Sequence, residues 1–171
     1  SRGSCDFGYQ YPKNLIPNLY LIRTRISSDI DHIKERVDIE YSNYKALGNN
    51  NLSKIKHLNR LDQCLIANEL QNIKNSCNDL AITQNKNIIE TLSSNLFFVR
   101  EIKKQYIFDT PLINDFGIKG VMREKIIESL RKKGLRVNIR NIEVNGVKKY
   151  TSCFKVNSIK GVIFIDRIGK N

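Results

Sequence analysis

The 171-residue sequence predicts an α+β fold: antiparallel helices in the N-terminal part, then a C-terminal helix packed on a small antiparallel sheet, a winged-helix-like order. Three observations lead there. Apolar residues recur at three- and four-residue spacing through much of the first half. From Leu96 the texture turns aromatic and β-branched, as in "LFFVREIKKQYIF". Near the end, "LRVNIRNIEVNGVKKYTSCFKV" sets two ten-residue arms around Asn145-Gly146, the pair preferred in tight hairpins. The change at Leu96 suggests two subdomains, a mostly helical 1–95 with an extended N-terminal arm and a basic 96–171.

Element by element, "LYLIRTRI" (Leu19 to Ile26) reads as a strand. Ser27-Ser28-Asp29 offers an N-cap, behind which Ile30, Ile33, Val37, Tyr41, Tyr44 and Leu47 mark an amphipathic helix stopped at Gly48. After "GNNN", residues Leu52 to about Cys77 form a second helical stretch, and Asn78-Asp79 caps a third that ends near Ser93-Ser94-Asn95. The run from Leu96 is a strand or strand pair. Gly120 to Lys133 is a compact helix with Ile126, Ile127 and Leu130 inward, ended by Gly134. The hairpin follows, and "GVIFIDRI" closes the sequence as a buried strand.

The charge is uneven. Residues 1–95 carry 12 Lys+Arg against 10 Asp+Glu, and residues 96–171 carry 17 against 7, so nearly all of the net +12 sits in the last 76 residues. A basic half on a balanced chain is the footprint of a nucleic-acid partner. The bias toward 20 asparagines and only three alanines is that of an AT-rich genome, which inflates lysine but bears less on the eleven arginines. A type I′ turn at Asn145-Gly146 would put Leu135, Val137, Ile139, Tyr150, Phe154 and Val156 on one face of the ribbon. The other would carry Arg136, Arg140, Lys149 and Lys155. With Arg123, Arg131, Lys132 and Lys133 of the preceding helix, these form the expected phosphate-contact set for DNA or RNA, without catalysis.

Two other classes compete. Glu101-Ile102-Lys103 inside a strand has the spacing of a metal-dependent nuclease, Glu holding the ion and Lys polarising the water, with Asp79 or Glu90 as the upstream acid. A metal-free ribonuclease would need His32 or His57, both on predicted helices away from the basic half. Alternatively the helical half meets a protein partner or a second copy while the basic face meets an acidic one. Nucleotide-loop, nucleophile-elbow and zinc-protease motifs are absent, and no cofactor is expected. Cys5, Cys64, Cys77 and Cys153 lack the close pairing of a zinc site and read as reduced thiols of an intracellular protein. No apolar run reaches the roughly 18–20 residues of a membrane span.

Overall fold

The computed structural model describes residues 13–25, 36–45, 56–73 and 77–169. The chain divides into two units, Ser1–Ile30 and Asp31–Asn171. In the first, residues 15–25 have no regular structure, so the strand expected from Leu19 does not form over its described part, and Leu19, Leu21 and Ile22 are exposed.

The second unit is built on one mixed eight-stranded sheet: β1 (Arg36–Lys45), β2 (Cys77–Gln84), β3 (Asn87–Thr91), β4 (Asn95–Ile102), β5 (Gln105–Pro111), β6 (Arg136–Arg140), β7 (Ser152–Asn157) and β8 (Gly161–Ile168). Among the described residues two α-helices accompany it, α1 (Leu61–Gln71) and α2 (Val121–Lys132). Its order is β3-β2-β1-β8-β7-β4-β5-β6, with β1 parallel to both β2 and β8 and β5 parallel to β6. The sheet curls until its edges meet. Ile88 N–H donates to Ile142 O at 2.8 Å, and Val144 N–H donates to Lys86 O at 3.0 Å, flanking a bridge between Asn87 and Glu143. Closure satisfies amides that a free edge strand would expose.

This architecture replaces the expected stack of helices on a small antiparallel sheet. Arg36–Lys45, expected as helix, is a strand: Val37, Ile39 and Tyr41 also alternate at a spacing of two, and that period wins because these side chains enter the concave core. The helix expected from Leu52 to Cys77 is confined, among described residues, to α1. The one expected to follow Asn78-Asp79 is the β2–β3 hairpin, turned at Asn85 and Lys86, whose φ angles are +49° and +65°. Lys103 and Lys104 turn β4 into β5 in the same way, at +51° and +62°. Residues 26–35, 46–55 and 74–76 of the expected helices lie outside the described residues.

The C-terminal helix is found as expected, with Gly134 at φ +73° behind it. The Asn145-Gly146 hairpin is not. Val144–Lys149 forms a 3₁₀ helix instead, with Gly146 N–H donating to Glu143 O at 2.9 Å. The arms part company: β6 joins β5, and β7 runs between β4 and β8. Burial explains the change, because Ile142 is fully buried and Val144, Val147 and Tyr150 pack on the concave core. An open-ended ribbon would leave them in water.

Three apolar clusters hold the unit. The concave side takes Val37, Ile39, Ala81, Ile88, Leu96, Phe98, Cys153, Ile163 and Ile165, drawn from six strands. Below α1 lie Ile66, Leu80, Ile82, Ile89, Ile113 and Phe116. Below α2 lie Phe97, Val99, Ile127, Phe154 and Val156, with the Phe97 and Phe154 rings stacked at 5.1 Å. Among the described residues no helix is long and apolar enough to cross a membrane.

Candidate active site

A cavity of about 670 Å³ opens where β3 and β7 end and β4 and α2 begin. Its walls come from four places: the segment entering α1 (Lys56, Arg60, Gln63), the β3–β4 connection, residues 118–122, and the β7–β8 turn. Each wall is fixed locally. The β3–β4 turn is tied by Thr91 N–H to Ser94 O at 2.8 Å and by Ser94 N–H to Thr91 Oγ1 at 3.1 Å. In the β7–β8 turn, Asn157 Oδ1 accepts the amides of Ile159 and Lys160 at 3.0 and 2.7 Å, a side-chain-capped turn.

Glu90 is the cavity's buried carboxylate, 6% exposed. Its Oε2 accepts the Ile118 amide at 3.0 Å and Asn95 Nδ2 at 3.5 Å. Asn95 in turn donates to Ile118 O at 2.8 Å and accepts the Gly120 amide at 3.1 Å, so one side-chain amide pairs with this segment as a neighbouring strand would. Gly120 leaves room for that contact, since a Cβ there would collide with Asn95 Oδ1. Burial pushes the Glu90 carboxyl up to about 7, while the Ile118 amide and the charges of Arg60 and Lys56 pull against it. A carboxyl poised near neutrality, sharing a cavity with the amine of Lys56, is an arrangement for holding a cationic ligand atom and moving protons.

The basic residues singled out from the sequence do not gather here. Arg131, Lys132 and Lys133 lie exposed at the far end of α2, Arg136 and Arg140 on β6, and Lys149 on the 3₁₀ helix. Arg123 is 2% exposed: its Nε donates to Thr110 Oγ1 at 3.1 Å, one terminal nitrogen to Pro111 O at 3.0 Å, and the other pairs with Glu124 at 2.6 Å. Lys155 is likewise buried, paired with Asp79 at 2.8 Å. Glu101 and Lys103 are exposed, and Lys103 sits in the β4–β5 turn rather than on the strand. Among the described residues no group of three or more His, Cys, Asp or Glu is placed to hold a metal ion. His57 is half-buried ahead of α1, and His32 lies outside the described residues.

The residues that do meet were Lys56, Arg60, Glu90, Asn95 and Gly120. In the sequence Glu90 stands out only as an upstream acid for a metal, and Lys56 falls within the stretch expected to be helix. The usable signal was local: an acid five residues ahead of an Asn that opens a strand, with a Ser-Ser turn between.

Known proteins resemble this chain in sequence and in fold. The model of the amino-transferase class IV family matches residues 1–168. An aminodeoxychorismate lyase of Vibrio harveyi is 30% identical over 107 residues, covering 63% of this chain and 38% of that protein. Among solved structures, a 4-amino-4-deoxychorismate lyase of Pseudomonas aeruginosa superposes with a TM-score of 0.69 at 22% identity, covering 80% of this chain and 48% of that one. An aminotransferase of Brucella abortus bound to the cofactor PLP gives 0.68 at 19%, covering 79% and 47%. The chain thus spans less than half the length of these relatives. The family match overturns the non-catalytic nucleic-acid reading, its nucleic-acid partner and the nuclease alternative, because the matched family is one of amino-transferase enzymes. Matched over nearly its whole length, the chain belongs to the class IV amino-transferase family.

Proposed function

We propose that the cavity holds pyridoxal 5′-phosphate and that the chain serves amino-group chemistry, as an aminotransferase or an aminodeoxychorismate lyase. The observation that carries the reading is the buried Glu90 carboxylate, tied by Asn95 and Ile118 and sharing its cavity with Lys56. The residues fit the cofactor's three demands. Lys56 Nζ is the amine that would hold its aldehyde carbon. Glu90 would accept from the protonated ring nitrogen, whose charge favours the ionised carboxylate. The hydroxyls of Ser93, Ser94 and Ser158, on the two turns that line the cavity, suit its phosphate.

Bound there, the cofactor supplies an electron sink for a carbanion beside the amino group. The chain's own part is to orient and to shuttle protons. Lys56 Nζ would give or take the proton at the reacting carbon, Asn95 steadies the Glu90 carboxylate through its Nδ2, and Arg60 and Lys119 would offer charge to an acidic substrate. The Vibrio harveyi relative supports 4-amino-4-deoxychorismate as the first substrate to try. An intracellular setting belongs to the same proposal, in keeping with the free thiols of Cys64, Cys77 and Cys153.

Titrating the chain with pyridoxal 5′-phosphate should produce a saturable visible absorption band. Borohydride should then fix the cofactor to Lys56, located by peptide mass. Lys56→Ala should lose both signals. A wild-type chain without saturable binding, or with label spread over many lysines, would sink the reading.

A further inference from the structure

The buried pair of Lys155 and Asp79 joins strands that are not neighbours. In the sheet, β2 and β7 are separated by β1 and β8, so their side chains can touch only across the concave side of the curl. The alternation of side chains agrees: Lys155 follows Cys153 by two residues and Asp79 precedes Ala81 by two, and both Cys153 and Ala81 belong to the concave core. Removing two charges from water is costly, and an apolar pair would serve the packing at least as well, so the burial calls for a reason beyond stability.

The hydrogen bonds around the pair supply one. Asp79 Oδ2 accepts Lys155 Nζ at 2.8 Å, while Oδ1 accepts the Leu80 amide at 2.9 Å and the Leu92 amide at 3.2 Å, the last shared with Leu80 O at 3.1 Å. Leu92 lies within the β3–β4 turn. Lys155 is two residues before Asn157, which opens the β7–β8 turn and donates through Nδ2 to Ser94 Oγ at 3.1 Å. The two serine-bearing turns are thus linked twice, by Asn157–Ser94 at the cavity wall and by Lys155–Asp79–Leu92 behind it. Neither Lys155 nor Asp79 lines the cavity.

We propose that Lys155 and Asp79 are positioning residues that set the spacing of the 91–94 and 157–160 turns, and so the grip on a ligand's phosphate group. The proposal rests on the reading of the cavity as a pyridoxal-phosphate site. The ammonium–carboxylate contact acts as a strut of fixed length: the carboxylate holds one turn by its Leu92 amide, and the lysine holds the strand that delivers the other. An apolar pair could fill the same space but would leave the Leu92 amide to Leu80 O alone.

The test compares pyridoxal 5′-phosphate with pyridoxal, which lacks the phosphate, on the full chain. The variants are Asp79→Asn/Lys155→Met, which removes both charges together, and Lys155→Met, which leaves Asp79 its amide donors. Circular dichroism and thermal melting establish whether each is folded. A folded variant should bind pyridoxal 5′-phosphate about ten-fold or more weakly, the size of loss seen when outer supports of a site are removed, with its pyridoxal affinity unchanged. Equal loss for both ligands, or no loss, overturns the strut. So does failure of both variants to fold, which would make the pair a folding requirement instead. A wild-type chain that binds neither ligand defeats the cofactor reading itself, an outcome distinct from wild-type binding that the variants retain.

Discussion

At the scale of single residues, Glu90 gives the clearest pH signature. Its carboxyl rises from 4.5 to about 7 on folding, chiefly through burial. Below about pH 4 both folded and unfolded forms hold the proton and the full stability is present. As pH climbs, the unfolded chain releases the proton first, so stability declines until the native carboxyl also ionises, a loss of up to about 3 kcal/mol. Glu90→Gln should flatten this slope, read as the difference in urea midpoint between pH 5 and pH 8. An unchanged slope would place its origin elsewhere. Gly120→Ala should lower cofactor affinity, because its methyl group displaces the Asn95 amide that steadies Glu90. Little of this was readable beforehand. One acid among 17 and one lysine in a Lys-rich chain carry no mark of burial or of shared location until strands far apart in sequence converge.

At the scale of elements, sequence reading succeeded where local and tertiary preferences agree. The α2 helix has its apolar stripe, its glycine stop and a sheet to cover, and β8 is a strand as expected, though half-buried by alternation, with Ile163 and Ile165 inside and Phe164 exposed. It failed where periodicities overlap. The β1 segment satisfies both three-to-four and two-residue spacing, and only pairing with β2 and β8 decides between them. The Asn145-Gly146 signal was sound as local chemistry, yet the demand to bury Ile142 and close the sheet outweighed it. Packing of α2 on β4 and β7 runs through the stacked Phe97 and Phe154 rings, so Phe97→Ala should cost about 3–5 kcal/mol in denaturant unfolding.

At the scale of the molecule, the charge asymmetry was real but misleading about function. The cavity takes its lysines and arginine mainly from residues ahead of the basic half, while Arg136 and Arg140 stand exposed on β6. Solvation of an exposed face accounts for such charge as readily as a ligand does. Arg136→Ala/Arg140→Ala should therefore leave pyridoxal 5′-phosphate binding at the wild-type level in the same absorbance titration. A loss would tie that face to the cavity after all.

The strand order also makes the two halves of the sheet depend on one strand. Strand β8 lies between β1 and β7, so β1–β3 and β4–β7 pair with each other along full strands only through Gly161–Ile168. Without it the halves would pair only through the short edge contacts of Ile88 and Val144, and two inner strand edges would stand open to other chains. β8 is the keystone of the curl.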